Sequence, residues 1–438
     1  MVSPQRRQEI IDALRRGTVP QHSLDALATG LERFEPTLDD ELKTVRGGSG
    51  LFKAIRGEYG CGKTFFARWL AERAKKCGFA TAEVQVSETE TPLHRLETVY
   101  RRMMERLATA DTPQGALRNI VDGWLYTLEE DVLAEGGIDP NNSERLMELT
   151  NELLEKRLSA VSAKAPMFST ALRGYREALS RGDSANADGI LAWLAGQPNV
   201  AASAKRAAGV KGDIDHFGAF NFLQGLLSVL RDAGYAGLLV VLDEVETIQR
   251  VRSDVRDKSL NALRQLVDEV FSGRFPGLYL VITGTPAFYE GPQGIQRLEP
   301  LAQRLHVDFN TDAKFDNPRA VQIRLPAFSL DRLSTVGKKV RDIYAEHSDS
   351  PERIRSFCDD DYIGDLAAAV TGKLGGKVGI APRIFLKKLV GDVLDRVDQF
   401  DDFDPRQDYS LTIADTELNS VERQNVAASD VDDIELDL

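Results

Sequence analysis

Eight consecutive residues combine three glycines with a lysine and a threonine at the spacing G-x-x-x-x-G-K-[ST]. They are Gly57-Glu58-Tyr59-Gly60-Cys61-Gly62-Lys63-Thr64. Glycines allow backbone N–H groups to close around a phosphate without a Cβ clash, and the positive end of a following helix adds to that field. The motif therefore predicts a phosphate-binding loop in which Lys63 reaches the β- and γ-phosphates and the Thr64 hydroxyl ligates Mg²⁺. A glycine-rich turn without a ligand is the structural alternative.

Acidic residues follow the apolar run LLVVL at residues 238–242. Such a run is typical of a strand buried in a parallel sheet. Asp243 at its end is predicted to hold the water shell of Mg²⁺, and Glu244 to orient or deprotonate an attacking water. A strand followed by an acidic turn is the alternative, and Glu246 could equally be a solvated acid at a helix start.

The elements that would position these residues alternate between strands and helices. Apolar patterns predict strands at residues 51–55, 82–86, 238–242, 278–282 and 321–325. Helical patterns separate them, including a long insertion at about residues 92–211 and a helical region at 329–400. Strands that alternate with helices indicate an α/β fold with a parallel sheet.

Composition excludes several classes of protein. No run of 18 apolar residues occurs, and the N-terminus has no apolar segment of a secretory signal, so no membrane span is expected. Three cysteines make neither a disulfide framework nor a metal site, which fits a cytoplasmic location. The five histidines are scattered and lack ligand spacing.

Most of the acidity lies in the last segment of the sequence. Residues 401–438 contain twelve acidic residues and two arginines, so they carry −10 of the formal net charge of −13. This composition predicts a flexible acidic tail, which would be solubilising or a docking or DNA-mimicking segment. The remaining chain is nearly neutral, so the overall charge does not exclude a DNA partner.

The loop, the acidic strand end and the polar end of the fourth strand together resemble the AAA+ ATPases, near the origin-recognition and Cdc6 branch. The resemblance implies a three-layer sandwich with a parallel sheet, a helical lid, and ATP and Mg²⁺ as cofactors. It also implies that strand four lies between the other two motif-bearing strands.

Further site residues are implied by the same resemblance. A sensor of the γ-phosphate would be Thr283 or Thr285, and an arginine finger that acts on a neighbouring subunit would be Arg304 or Arg297. A buried threonine that bonds its own backbone and a salt-bridging arginine are the structural alternatives. In the lid, Arg383 within GIAPR (residues 379–383) would be a second sensor of the γ-phosphate. Val19 and Pro20 could contact the adenine, with plain packing as the alternative.

Three longer blocks are similar to a narrower family, the ATP-binding protein of BREX-type bacterial phage-defence systems (the BrxD family). They are residues 15–34, 56–103 and 237–250. This resemblance implies a cytoplasmic ATPase that works beside a methyltransferase, a phosphatase-like protein and other defence components. Cys61 departs from the usual small inert residue; it would pack as a small side chain or, if exposed, respond to oxidation.

The expected organisation has four parts. They are an N-terminal helical segment (1–50) that could contribute to the adenine pocket, an ATPase core (51–328) with the insertion at about 92–211, a helical lid (329–400) and the acidic tail (401–438). The favoured function is a homo-oligomeric ATPase that hydrolyses MgATP and remodels DNA or partners. The alternatives are a slowly hydrolysing switch or adaptor, and a DNA-coating ATPase similar to transposition regulators.

Overall fold

The computed structural model describes residues 2–135, 143–374, 381–418 and 423. Its centre is a five-stranded sheet in the order β2-β3-β4-β1-β5, with all neighbours parallel. The strands are β1 (Leu51–Arg56), β2 (Ala80–Gln85), β3 (Leu238–Asp243), β4 (Leu278–Gly284) and β5 (Gln322–Arg324). The five predicted strands are confirmed to within two residues at each end, and β4 lies between β1 and β3 as expected.

Helices account for most of the remaining described chain. They are α1 (Pro4–Arg15), α2 (Glu35–Arg46), α3 (Lys63–Lys76), α4 (Leu96–Glu105), α5 (Leu117–Ala134), α6 (Ser143–Ser162), α7 (Pro166–Ser180), α8 (Ser184–Leu194), α9 (Ala202–Ala207), α10 (His216–Asp232), α11 (Ser253–Phe271), α12 (Pro286–Glu290), α13 (Glu299–Leu305), α14 (Leu330–Ala345), α15 (Pro351–Phe357), α16 (Asp360–Lys373), α17 (Ala381–Lys388) and α18 (Asp395–Gln399), with a π-helical segment (Leu389–Leu394) joining the last two.

Successive side chains of a strand point to opposite faces of the sheet, and here the side chains on both faces are apolar, which explains why helices cover both faces. In β3, Leu238, Val240 and Leu242 belong to one apolar cluster, which includes α4, α10 and α11. Leu239 and Val241 point the other way, into a cluster with α2 and α3. A strand buried on both faces reads as an unbroken apolar run, so LLVVL is the expected sequence for this position.

The helices between residues 92 and 211 extend one of these layers. The apolar side chains of α4 to α9 belong to the same cluster as that face of the sheet. Phe222 of α10 illustrates the packing, because its ring lies 5.3 Å from the rings of both Phe168 and Trp193. The predicted helical insertion thus belongs to the helical layer on this face of the sheet, and the two share one apolar core.

A separate apolar cluster joins α14 to α18, the π-helical segment and α1 into a helical unit, which is called the lid below after the expectation for this region. Ile10, Ile11 and Leu14 of α1 are buried there. By contrast, Leu38 and Leu42 of α2 pack on the sheet with α3. The segment 1–50, expected to be one unit, is therefore divided between the lid and the core.

The prediction of a flexible tail from residue 401 is wrong for residues 401–418. Phe403, Tyr409, Leu411 and Ile413 pack against the lid cluster, and Leu418 is buried within it. The many acidic residues concealed this apolar pattern, which is spread over almost twenty positions. Residues 419–422 and 424–438 lie outside the described part of the chain.

Candidate nucleotide-binding site

A cavity of about 320 Å³ lies where the phosphate-loop motif, the N-terminal segment and the lid meet. Residues 17–20 and 29–31 form one part of its wall, and residues 59–65 form another. The stretch after β5 contributes Phe328, and the lid contributes Arg332, Val336, Pro382, Arg383 and Leu386. The cavity thus joins an apolar region to the polar ends of the strands, because parallel strands place their carboxyl ends at one edge of the sheet.

Glycine is required at three positions of the loop that joins β1 to α3. Gly60 and Gly62 have φ values of 78° and 91°, in the region that side chains other than glycine rarely adopt. A Cβ on Gly57 would lie 2.3 Å from the Sγ of Cys61, which is far too close. The loop is therefore shaped by its three glycines, as the motif predicts.

The Lys63 ammonium is folded into this loop. Its Nζ donates to the carbonyl oxygens of Gly57 at 2.9 Å and Glu58 at 3.2 Å. It also lies 3.8 Å from the Oε1 of Glu246, and the Lys63 side chain is only 8 % exposed. The ammonium is therefore bound by the loop's own carbonyls in this structure.

The residues predicted to hold a metal ion contact each other directly. The Thr64 hydroxyl donates to the Oδ2 of Asp243 at 2.9 Å. The Oδ1 of Asp243 accepts from the Thr283 hydroxyl, which itself accepts from the Glu244 N–H at 3.1 Å. A hydroxyl and a carboxylate at the end of a phosphate-binding loop are oxygen donors of the kind that Mg²⁺ prefers. The donor set fits this ion.

Glu244 has an uncommon backbone conformation that places its side chain on the cavity wall. Its φ and ψ are 59° and 44°, the left-handed region that few non-glycine residues occupy. The Oε2 of its carboxylate accepts a hydrogen bond of 2.9 Å from the amide of Gln85 at the end of β2. Strain at such a position is commonly found at functional sites.

Glu246 is buried, so the reading of this residue as a solvated acid is wrong. It is 4 % exposed, lines the cavity, and has no hydrogen-bond partner for either carboxylate oxygen within the described residues. Burial raises the pKa of its carboxyl to about 7, and the neighbouring Lys63 opposes that shift. It lies in the 3₁₀ helix Val245–Arg250, which directly follows Glu244.

Cys61 packs as a small buried side chain. It is 6 % exposed, and burial raises the pKa of its thiol to about 11. A thiol in this state is a poor nucleophile at neutral pH. The structure therefore favours the packing role over a role as an oxidation-sensitive group.

Val19 and Pro20 line the same cavity as the phosphate loop. Two residues of α3 hold the segment that carries them. Arg68 donates to the Val19 carbonyl at 2.9 Å, and the Glu72 carboxylate accepts from the N–H groups of Ser23 and Leu24 at 2.8 Å each. These contacts fix the apolar wall relative to the helix that begins at the loop.

The lid contributes two arginines to the cavity. Arg383 was expected there, although Gly379 and Ile380 of its motif lie outside the described residues. Arg332 was missed, because a single arginine at the start of a helix carries no sequence signal. Its guanidinium lies against Gly30, within 3.1 Å of an ideal Cβ position, and makes no hydrogen bond in the described part of the chain.

The two candidates for an arginine finger do not line this cavity. Arg304 forms an ion pair with Asp268 and donates to the Pro300 carbonyl at 2.7 Å. Arg297 forms an ion pair with Asp257. Their side chains are 36 % and 35 % exposed, so both reach the surface.

The two sensor candidates on β4 differ in their contacts. Thr283 is fully buried, and its hydroxyl bonds to the Asp243 carboxylate and the Glu244 N–H. It therefore helps to hold the two acidic residues in position. Thr285 is 4 % exposed and precedes α12 without a side-chain capping bond. Neither threonine lines the cavity.

Within residues 2–135, 143–374 and 381–418, no group of three or more His, Cys, Asp or Glu side chains is arranged to hold a metal ion. None of the helices there is long and apolar enough to cross a bilayer.

A parallel five-stranded sheet with a glycine-rich loop after its first strand is consistent with the P-loop ATPases. Residues 2–413 match the family described as BREX system ATP-binding protein BrxC/D. The chain therefore belongs to this family, and the resemblance seen in its sequence is confirmed. Membership indicates an ATP-binding role in phage defence beside other BREX components. No curated protein and no solved structure matches the chain.

Proposed function

We propose that this protein binds MgATP in the cavity between core and lid and hydrolyses it, acting as an AAA+-type ATPase. The observation that supports this most directly is the contact between Thr64 and Asp243, beside Lys63 and Glu244 on one cavity wall. These four side chains come from two segments 179 residues apart in the sequence. Together they supply the groups that phosphoryl transfer to water requires.

Each residue has a defined role in this proposal. The loop N–H groups and Lys63 bind the β- and γ-phosphates, while Thr64 and Asp243 hold Mg²⁺, which neutralises developing phosphate charge when bound. Glu244 accepts a proton from the attacking water, and Thr283 keeps Asp243 and Glu244 in place through its hydroxyl. Val19 and Pro20 contact the base, and Arg383 and Arg332 approach from the lid.

An assembly of several subunits completes this proposal. The reacting phosphate needs a further positive charge in the transition state, and an arginine from a neighbour commonly supplies it. Arg304 and Arg297 are both partly exposed, away from their own cavity. We propose that one of them acts in this way on a second copy, within an assembly that remodels DNA or other BREX components.

A switch with slow hydrolysis is the second candidate. The hydrogen bond from Gln85 restrains the carboxylate of Glu244, and Lys63 is bound to the loop's own carbonyls. Both residues must change partners before turnover, which would suit a protein whose hydrolysis depends on a partner. The rate of hydrolysis without any partner separates the two candidates.

The test is ATP hydrolysis with and without duplex DNA, with particle size measured in the same samples. Replacing a general base costs about 100-fold or more in turnover, so Glu244→Gln should abolish most hydrolysis while ATP still binds. Glu352→Gln is the matched control, because that side chain is 89 % exposed on the lid. Wild-type turnover too slow to measure in every sample would favour the switch, and absent ATP binding would refute both.

A further inference from the structure

The segment from residue 401 to 418, named here the C-terminal strap, is tied to the lid at its start. Arg406 donates to both carboxylate oxygens of Asp359, at 2.7 Å each. Arg353 donates to the carbonyl oxygens of Phe400 at 3.0 Å and Phe403 at 2.9 Å. These bonds fix the strap where it leaves α18.

Apolar contacts hold the rest of the strap. Leu411 and Ile413 pack on the lid cluster, and Leu418 is 5 % exposed within it. Burial of apolar side chains of this kind stabilises the folded state. The strap is therefore part of the lid's packing, and the position of its last residues is defined.

Glu417 is the polar anchor of the strap. Its carboxylate accepts from the Lys387 ammonium at 3.2 Å, the Lys388 ammonium at 2.9 Å and the Ala414 N–H at 3.1 Å. Partial burial alone would raise the pKa of this carboxyl, but the hydrogen bonds from Lys388, the Ala414 N–H and Lys387 lower it to about 2. The charged form of Glu417 is thus strongly favoured.

The main chain of the same residue bonds to an arginine of the cavity wall. The carbonyl oxygen of Glu417 accepts a hydrogen bond of 2.6 Å from the Nη2 of Arg383, which lines the cavity. On its other side, the Nη1 of Arg383 lies 3.6 Å from an ideal Cβ position on Gly17. Arg383, Lys387 and Lys388 all lie on α17, so one strap residue holds three cations of one helix.

We propose that Glu417 is a positioning residue, which orients Arg383 toward the phosphates of the bound nucleotide. This inference rests on the proposed function, because it requires a nucleotide in the cavity. The strap would then help set nucleotide affinity, although it lies far from the phosphate loop in sequence. A guanidinium held in advance loses less conformational freedom on binding, which strengthens the complex.

The expected effect is selective for the triphosphate. Ordering one flexible side chain costs about 0.5–1.5 kcal/mol, so loosening the Glu417 contact that orients Arg383 should weaken binding about 2- to 10-fold. Glu417→Ala keeps the carbonyl oxygen but removes the carboxylate that Lys387, Lys388 and the Ala414 N–H hold in place. Because Arg383 is proposed to sense the γ-phosphate, this variant should weaken ATPγS binding by this factor and ADP binding by less than 2-fold. A role confined to folding would weaken both nucleotides alike.

The experiment is calorimetric binding of Mg²⁺-ATPγS and Mg²⁺-ADP to the full chain. The variants are Glu417→Ala, Arg383→Ala and the double variant. Glu417→Gln keeps the side-chain shape and is included in case the alanine variant is unfolded. Asp402→Ala is the control, because this substitution removes the same charge from the strap. Asp402 is exposed and makes no hydrogen bond in the described chain. Circular dichroism and thermal melting verify that each variant is folded.

The double variant gives the decisive result. If Glu417 acts through Arg383, adding Glu417→Ala to Arg383→Ala changes ATPγS affinity no further. Additive losses, an unchanged affinity in both Glu417 variants, or an unchanged affinity in Arg383→Ala would each overturn the inference. Wild-type chain that binds neither nucleotide would refute the proposed function itself, which is a separate outcome.

Discussion

The side-chain amide of Gln85 donates a hydrogen bond of 2.9 Å to the carboxylate of Glu244. The strand register explains the contact, because Gln85 of β2 is paired with Asp243 of β3 and so lies beside the next residue. One polar residue on a neighbouring strand therefore controls the orientation of the proposed general base.

Gln85→Ala should raise basal ATP turnover about 2- to 5-fold without changing KM. The substitution removes the donor, which frees the carboxylate and makes it a better proton acceptor. Steady-state hydrolysis without partners measures this. A fall in kcat would instead show that Gln85 aims Glu244 at the attacking water.

Thr283→Val should lower both stability and turnover. It removes the hydroxyl that contacts both the Glu244 N–H and the Asp243 Oδ1, which keep only their 3.2 Å hydrogen bond to each other, and this loss in a buried place costs about 1–3 kcal/mol. Chemical denaturation measures the loss of stability, and the hydrolysis rate reports the effect on the acidic pair. Thr283→Ser keeps the hydroxyl and should behave like the wild type; equal losses in both variants would rule out the hydrogen-bonding explanation.

Glu246 should make the free energy of unfolding depend on pH. Its pKa is raised by burial from 4.5 to about 7, so the folded state favours the protonated form. The stability that this preference provides is complete below pH 4.5 and is lost as the pH rises through 7. Glu246→Gln cannot ionise, so its stability relative to wild type should rise between pH 5 and pH 8, by an amount on the order of 2 kcal/mol. Denaturant unfolding of the wild type and of Glu246→Gln at pH 5 and pH 8 tests this. An equal difference in the free energy of unfolding between the two proteins at both pH values would contradict it.

Cys61 should resist alkylation in the folded protein. Its thiol is buried with a pKa of about 11, whereas Cys77 at the end of α3 is partly exposed. Peptide mass spectrometry after brief iodoacetamide treatment at pH 7.5 should find Cys77 modified first. Rapid modification of Cys61, relieved by added nucleotide, would show that the loop opens more readily than its packing indicates.

Arg332 should contribute to nucleotide binding even though no motif marks it. Arg332→Ala removes a half-buried guanidinium from the cavity wall and should weaken nucleotide binding about 10-fold or more, given about 1.5–3 kcal/mol for a hydrogen bond to a charged group. Comparing ADP with ATPγS locates the contact. Equal losses place it on the base, ribose or inner phosphates, and a loss confined to ATPγS places it on the γ-phosphate. No loss with either would exclude a contact.

Local patterns predicted the elements of the core well. The five strands, the loop between β1 and α3, and the buried strand end before Asp243 all follow from glycine spacing and apolar runs. These signals are local, because burial on both faces requires apolar residues at every position of a strand.

The parts that sequence reasoning missed depend on contacts between distant segments. The burial of Glu246 follows from a tight turn under the loop, and Arg332 enters the cavity only because α14 packs beside Gly30. The strap was read as a tail since its acidic residues outnumber its apolar ones. Composition is averaged over a segment, whereas packing depends on which few side chains face the lid.

The lid includes both α1 and the C-terminal strap, so the two ends of the described chain belong to the same body. Only two stretches of chain then connect that body to the sheet, one after α1 and one after β5. Residues 17–20 of the first and Leu325, Pro326 and Phe328 of the second line the cavity. The cavity proposed for the nucleotide therefore lies where the two bodies are connected, and a rotation of the lid would change the walls around the bound ligand.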